Sequence, residues 1–347
     1  MANLRDLCKG TQVHCFLVKY GLEEGLYAGS SLIDMYCKCE IVEAATALFS
    51  YMPERSVVCI NALISGHARL SLAEAVNLFK HMLSDGLQPS AVTFATLLEG
   101  CSDNIDLYFG RQVHCFILKL GLPYNDEFLA VSLLGMYMSA QRNTDAIGLF
   151  SELPDPKSTI IWTVLISGSA QNDNAEEALL WYQEMRSHNA MPDQATFASV
   201  LRACSILASL ENGMVTEGQE IYDTMINRYG VQPRVDHCAC MIDLFGRWGF
   251  LREAEKFIEN LDFEPDSMIW ATYLSACRLH GDDIRGQHAA EKLIELQPQD
   301  SSPYVLLSHI HAASGNWDGV NSVRKKMTEK GVKKFTGSSR ISLDLAG

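Results

Sequence analysis

A thirteen-residue stretch occurs twice in this chain of 347 residues: Gly10 to Leu22 reads GTQVHCFLVKYGL and Gly110 to Leu122 reads GRQVHCFILKLGL. The offset of 100 residues is longer than any single supersecondary repeat, so what has been copied is either a domain or a block of shorter repeats. A shorter period settles the choice. NALISG at Asn61–Gly66 precedes EAVNLF at Glu74–Phe79, TVLISG at Thr163–Gly168 precedes EALLWY at Glu177–Tyr182, and TFATLLEGC at Thr93–Cys101 returns as TFASVLRAC at Thr196–Cys204. Each apolar-periodic segment runs about a dozen residues and ends in two to five residues rich in Gly, Asn, Asp or Pro, the pattern of helix, turn, helix.

The units are 26–56, 57–90, 91–126, 127–158, 159–193, 194–234, 235–266, 267–300 and 301–334, eight of them 31 to 36 residues long. A helical hairpin this short cannot bury its apolar face alone, so the expected fold is all-α: a right-handed α-solenoid of helix-turn-helix repeats with a continuous core and a concave groove. The domain reading is an incomplete leading repeat at 1–25 that enters at its second helix, a repeat array at 26–266, two extension hairpins at 267–334 and a basic tail at 335–347. Unit 194–234 is longer, 41 residues, because SILASLENG runs into VTEGQEIYD where a third QVHCF-like helix is expected. That join reads either as a bulged loop or as the scar of a lost block of repeats.

Composition narrows the function. Residues are 48% hydrophobic, which supports an ordered fold, and no apolar run approaches the roughly 18 residues that span a bilayer. MANLRDLCKG has neither a secretory signal nor the Arg- and Ser-rich character of a transit peptide. Eleven cysteines without a secretory signal point to reduced, mostly buried thiols. A formal charge of −14 argues against binding nucleic acid mainly by neutralising phosphates. The charge is uneven: Asn321–Gly347 carries Arg324, Lys325, Lys326, Lys330, Lys333, Lys334 and Arg340 against Glu329 and Asp344.

SLIDMYCKCEIVEAATALF (Ser31–Phe49), INALISGHARLSLAEAVNLFKHMLSDGLQPS (Ile60–Ser90) and GRQVHCFILKLGL resemble the short, standard and long motifs of plant pentatricopeptide repeat proteins of the PLS subclass. VDHCACMIDLFGRWGFLREAEKFI resembles the last short motif, and MIWATYLSACRLHGD with AAEKLIELQPQDSSPYVLLSHIHAASGNW resembles the two extension motifs of the E type. The resemblance covers nearly the whole chain. It implies sequence-specific binding of single-stranded organellar RNA, one repeat facing one base, and a non-catalytic role in choosing sites for C-to-U editing. A helical groove that reads splayed bases through two or three side chains per repeat needs few phosphate contacts, which reconciles an acidic chain with RNA.

In that family the fifth and last residues of a repeat choose the base and an apolar second residue packs on it. The resemblance therefore implies Asn61 with Ser90 and Val58 for a cytosine, and Thr163 with Asp193 and Ile160 for a guanine. The short units present Ser30 with Ser56 and Val131 with Ser158. The final short unit has Ala239 with Asp266, and the long units have Ala95 with Asp126 and Ala198 with Arg234, where the code is poorly obeyed. The implied target is C, two undetermined bases, then G. Ser90 and Asp193 also sit where any helical repeat places an N-cap.

No catalytic centre is expected. The H-x-E and P-C-x-x-C signature of a zinc deaminase is missing, and the resemblance to a chain ending after the second extension motif implies a deaminase recruited in trans, with accessory factors, through residues 267–341. Cys37-Lys38-Cys39 and His237-Cys238-Ala239-Cys240 lack the spacing of common zinc sites and fall at repeated packing positions; no metal or other cofactor is expected. His309 and His311, two apart, face different directions on one helix. Lys333–Ile341 occupies a segment the family usually writes K-K-x-P-G-x-S-W-I, with Thr336 in place of Pro and Arg340 in place of Trp. The resemblance implies a plant organelle, the mitochondrion before the chloroplast. The alternative reading is a helical scaffold that binds protein and no RNA.

Overall fold

The structure, a computed structural model, describes residues 6–22, 25–53, 55–101, 107–122, 126–155, 157–208 and 214–333. The C-terminal segment with Thr336 and Arg340, and most of the SILASLENG join, lie outside the described residues. Among those described there are nineteen helices and no strand. In chain order they are α1 Leu7–Lys19, α2 Leu26–Lys38, α3 Val42–Tyr51, α4 Val57–Ala68, α5 Leu72–Ser84, α6 Ala91–Glu99, α7 Leu107–Lys119, α8 Glu127–Ser139, α9 Asn143–Glu152, α10 Thr159–Gln171 and α11 Ala175–Ser187. There follow α12 Gln194–Leu207, α13 Met214–Asn227, α14 Val235–Arg247, α15 Leu251–Glu259, α16 Ser267–His280, α17 Asp283–Leu296, α18 Ser302–Ala313 and α19 Trp317–Glu329. The chain forms two compact units, Met1–Asn174 with Trp181–Ala190, and Ala175–Leu180 with Met191–Gly347.

In the first unit α2, α4, α6, α8 and α10 pack in series, and the second helix of each pair packs behind its first, as α3 does on α2 and α5 on α4. The same holds in the second unit, with α12, α14, α16 and α18 in series and α13, α15, α17 and α19 behind. Each unit is thus a stretch of α-solenoid whose core is made by the same register position in the first helices: Ile33, Ile64, Leu98, Leu134 and Ile166 in one, Leu201, Ile242 and Leu274 in the other, all buried, with a buried Ser308 at that position of α18. Burying each such side chain is worth about 1.5–3 kcal/mol relative to exposure, which is what lets neighbours stabilise hairpins that could not stand alone.

Two local devices keep the stack tight. First helices cross where a glycine meets the preceding one: a Cβ on Gly66 would come 2.6 Å from Cys37 Sγ, and one on Gly168 2.7 Å from Met138 Cβ. The turn inside the pair places one residue in the left-handed region, Glu40 and Gln141 in the first unit, and Gly249, Gly281 and Gly315 in the second. Helix starts are capped by side chains: Ser56, Ser90, Asp126 and Ser158 each accept a hydrogen bond from a backbone N–H of the first turn that would otherwise have no partner.

The duplicated thirteen residues form α1 and α7 and the turns that follow them. Both copies dock identically. His14 Nδ1 lies 2.7 Å from the Tyr36 hydroxyl on α2, and His114 Nδ1 lies 2.8 Å from the Tyr137 hydroxyl on α8, each with rings edge to face. Gly10 and Gly110 abut Met35 and Met136 at matching points. The third long unit keeps this register without the QVHCF sequence. In α13 Gly218 abuts Leu244, the counterpart of Met35 and Met136, and Tyr222 stands where the histidine would be, its hydroxyl 3.6 Å from Cys238 Sγ. Phe245 replaces the tyrosine of the facing helix and packs against Phe257. The join after Ala208 therefore delivers a helix in step with the stack.

All eleven cysteines are free thiols, six of them buried. Cys8, Cys15 and Cys115 are exposed, because α1 and α7 are outer helices and these positions face away from the stack. Burial pushes the thiol of Cys37 up to about 11 and that of Cys277 up to about 12. His237 is buried and fully used: Nδ1 accepts from the Arg234 N–H at 3.1 Å and Nε2 donates to the Gln194 carbonyl at 2.8 Å. Among the described residues no group of three His, Cys, Asp or Glu side chains is placed to hold a metal ion. None of the described helices is long and apolar enough to cross a membrane.

Candidate nucleic-acid interface

Asn61 and Ser90 come together although 29 residues separate them. Asn61 lies one turn into α4 and Ser90 is the N-cap of α6, so the series packing of first helices brings the fifth residue of one unit to the last. Asn61 Nδ2 donates to Ser90 Oγ at 3.4 Å, and Thr93 Oγ1 donates to Asn61 Oδ1 at 2.8 Å. Thr93 also closes a capping box with Ser90, accepting from the Ser90 N–H at 3.0 Å while its own N–H donates to Ser90 Oγ. The asparagine amide is held by two neighbours, half-buried, with its second N–H free of this network. Val58, one turn earlier on α4, is 65% exposed beside it.

The preceding unit repeats the arrangement with a thiol in the bridging place. Ser30 Oγ lies 2.9 Å from Cys59 Sγ, and Ser56 Oγ donates to the same sulfur at 3.3 Å while capping α4. Cys59 and Thr93 occupy the third position of their units, a position that repeat spacing does not single out, since its part depends on a partner about thirty residues upstream. Other expected pairs are not polar pairs. Val131 and Ala239 carry no side-chain donor or acceptor, which leaves Ser158 and Asp266 as caps, Ser158 accepting from Ile161 N–H and Asp266 from Met268 and Ile269 N–H. Ala95 is buried, with Asp126 capping α8. Thr163 is half-buried on α10 of the first unit; Asp193 caps α12 of the second in a box with Thr196. Ala198 is half-buried on α12, and Arg234 bonds Gln194 across to its side chain at 2.7 Å.

In the first compact unit the second position of every repeat is the most regular feature, whereas in the second compact unit Ala195, Asp236 and Ser302 interrupt it. In the first compact unit it holds Tyr27, Val58, Val92, Phe128 and Ile160, from 52% exposed at Ile160 to 90% at Tyr27. Met268 holds it on α16 of the second unit, also exposed. Apolar side chains left in solvent at one register position, each a turn before the residue that faces the next helix start, form a ladder of platforms. Only Val58 and Ile160 are singled out by the sequence; aligning every unit on its first helix finds the others.

Helical pairs of 31 to 36 residues stacked side by side define an α-solenoid repeat protein. The PPR repeat family model matches residues 55–103 and 157–205, the PPR repeat model residues 30–57 and 237–261, and the E motif model residues 280–342. The chain belongs to the pentatricopeptide repeat family and carries an E motif. A mitochondrial pentatricopeptide repeat-containing protein of Arabidopsis thaliana is 40% identical over 439 residues, covering 99% of this chain and 43% of the relative. Its matched span is longer than this chain, so it holds residues that this chain lacks. A chloroplastic relative from the same plant is 36% identical over 96% of this chain and 45% of its own length. The chain thus spans less than half the length of these relatives. Among solved structures, the pentatricopeptide repeat protein PPR10 of maize, in complex with an 18-nt psaJ RNA element, superposes with a TM-score of 0.69 at 20% identity, over 88% of this chain and 46% of PPR10. At that identity the likeness is one of fold.

Proposed function

We propose that the chain binds single-stranded organellar RNA, one base per helical pair, and serves as a non-catalytic specificity factor for C-to-U editing whose deaminase is supplied in trans. The observation that carries this reading is the Asn61–Ser90–Thr93 cluster beside exposed Val58, within a ladder of exposed apolar residues at the same register. A base slotted between two rungs would stack on apolar side chains and present its Watson–Crick edge to the Asn61 amide, contacts that need little phosphate neutralisation. Asn61 and Ser90 are proposed to read a cytosine, with Val58 on its face. Ser30 with Ser56 is proposed to read the base before it. Thr163, one turn after exposed Ile160 on the same helix, is proposed to read a further base on its own account.

The names of the relatives support an organellar setting, and the mitochondrion is proposed first. The E motif supports the editing role and a partner-recruiting end. The proposal is tested by selecting bound RNA from a random single-stranded pool at moderate salt. Enrichment of a cytosine at one fixed position, lost in Asn61→Ala while overall affinity falls only a few-fold, is expected. A flat pool, or no binding, would sink RNA reading and leave the protein-binding scaffold, which the formal charge of −14 favours.

A further inference from the structure

The last helical pair holds a cleft of about 380 Å³ between α18 and α19. Its wall includes Tyr304, Ser308 and His309 from α18 and Arg324 from α19, with Val305 and Met327 among its apolar residues. Three points distinguish it. Among the described residues no carboxylate lines it, although the chain carries an excess of acidic residues. Arg324 is exposed and makes no ion pair with any described residue, whereas on the same helix Lys325 is paired with Glu329. The Tyr304 hydroxyl is buried, in a residue only 2% exposed, and has no hydrogen-bond partner among the described residues. A buried hydroxyl without a partner is costly, and native structures rarely keep one without a reason.

We infer that this cleft is a binding site for a carboxylate carried on an apolar stem, as an acidic peptide segment of a partner protein presents it. A guanidinium and neutral donors suit a monoanion: Arg324 can hold a carboxylate bidentately, and the Tyr304 and Ser308 hydroxyls can donate to it. A phosphate chain would call for several cations, and among the described residues that line the cleft Arg324 is the one guanidinium. Val305 and Met327 cover the aliphatic stem, and the volume lies in the range that takes a small ligand or a few residues of peptide. The remaining charge of this end agrees: Lys326 on α19 and Lys330 at its C-cap are exposed and raise the positive potential that draws acidic sequence toward it. The inference rests on the proposed partner-recruiting role of this end and names the chemistry that the end recognises.

The probe is a fluorescein-labelled peptide of alternating Glu and Leu, titrated against the full chain by anisotropy. Its Gln–Leu counterpart, with a free or an amidated C-terminus, separates a side-chain carboxylate from a terminal one. The expected result is that peptides with a carboxylate bind and the uncharged amidated peptide binds at least tenfold more weakly. Arg324→Gln should lose at least tenfold. Tyr304→Phe should lose several-fold with no fall in melting temperature, because the hydroxyl it removes has no partner in the protein. Equal binding of charged and uncharged peptides, no binding at all, or binding unchanged in both variants overturns the inference. Selection of RNA by the same preparation is a separate readout, so loss of one activity does not imply loss of the other.

Discussion

Thr93 shows how one buried hydroxyl can tie a cap to a recognition residue. It is fully buried, donates to Asn61 and closes the capping box with Ser90. Thr93→Val keeps the volume and the backbone cap bond to Ser90 but strips both side-chain bonds, so a loss of about 1–2 kcal/mol of stability is expected in a urea titration, consistent with a half-broken capping box and a stranded amide. The same variant should blur the proposed cytosine preference nearly as much as Asn61→Ala, although Thr93 itself would touch no base. Repeat spacing points to Asn61, Ser90 and Val58, since each holds a fixed place in its unit. It does not point to Thr93 or Cys59, because their bonds reach across to a residue about thirty positions back, and no local pattern marks that. Val131 and Ala239 fill the same register but carry no polar atom, so Ser158 and Asp266 stand there as caps alone.

At the scale of the element, the duplicated QVHCF helices are latched by a histidine and a tyrosine on the next first helix. The duplication is legible as lettering; the latch is not, since its tyrosine lies 22 or 23 residues further on and belongs to another motif. Burial lowers the His114 imidazole from its ordinary value despite Glu152 and Asp145 nearby, and burial raises the Tyr137 phenol. Both partners are therefore neutral, and the tautomer of the imidazole sets which of the two donates to the other. A histidine whose folded value is depressed takes up a proton more readily unfolded, so its stabilising contribution is present above the unfolded value, roughly 6.5, and is lost as the pH falls through and below it. Thermal melts between pH 8 and 5 should show that loss, reduced in His114→Gln, and Tyr137→Phe should cost about 0.5–1.5 kcal/mol at pH 8. The turns offer the opposite kind of change. Gln141 sits at a φ of 56° where the second unit uses glycine, so Gln141→Gly should raise stability by about 0.5–1 kcal/mol, read as a higher denaturation midpoint.

At the scale of the molecule, all-α repeats were the most legible property, because the period of 31 to 36 residues is itself the fold. What sequence could not supply was the division into two compact units, which depends on packing distributed over many residues and leaves no composition change behind. Since pairs contact mainly their neighbours, opening should be local, and the thiols can report it. Cys8, Cys15 and Cys115 should react at once with a maleimide at pH 7. Cys37 and Cys277 should wait for opening and become reactive at different urea concentrations, the first unit and the second separately; simultaneous labelling of both would indicate one cooperative transition instead. The contact of Gly218 with Leu244 bears on inheritance as well as packing. What Gly218 asks is a large side chain opposite it on the next first helix, a condition indifferent to what precedes α13. A gene cut and rejoined there still encodes helices in step, so on the proposed reading recombination can shorten or lengthen the address by whole groups of bases while the E-motif end passes on unaltered.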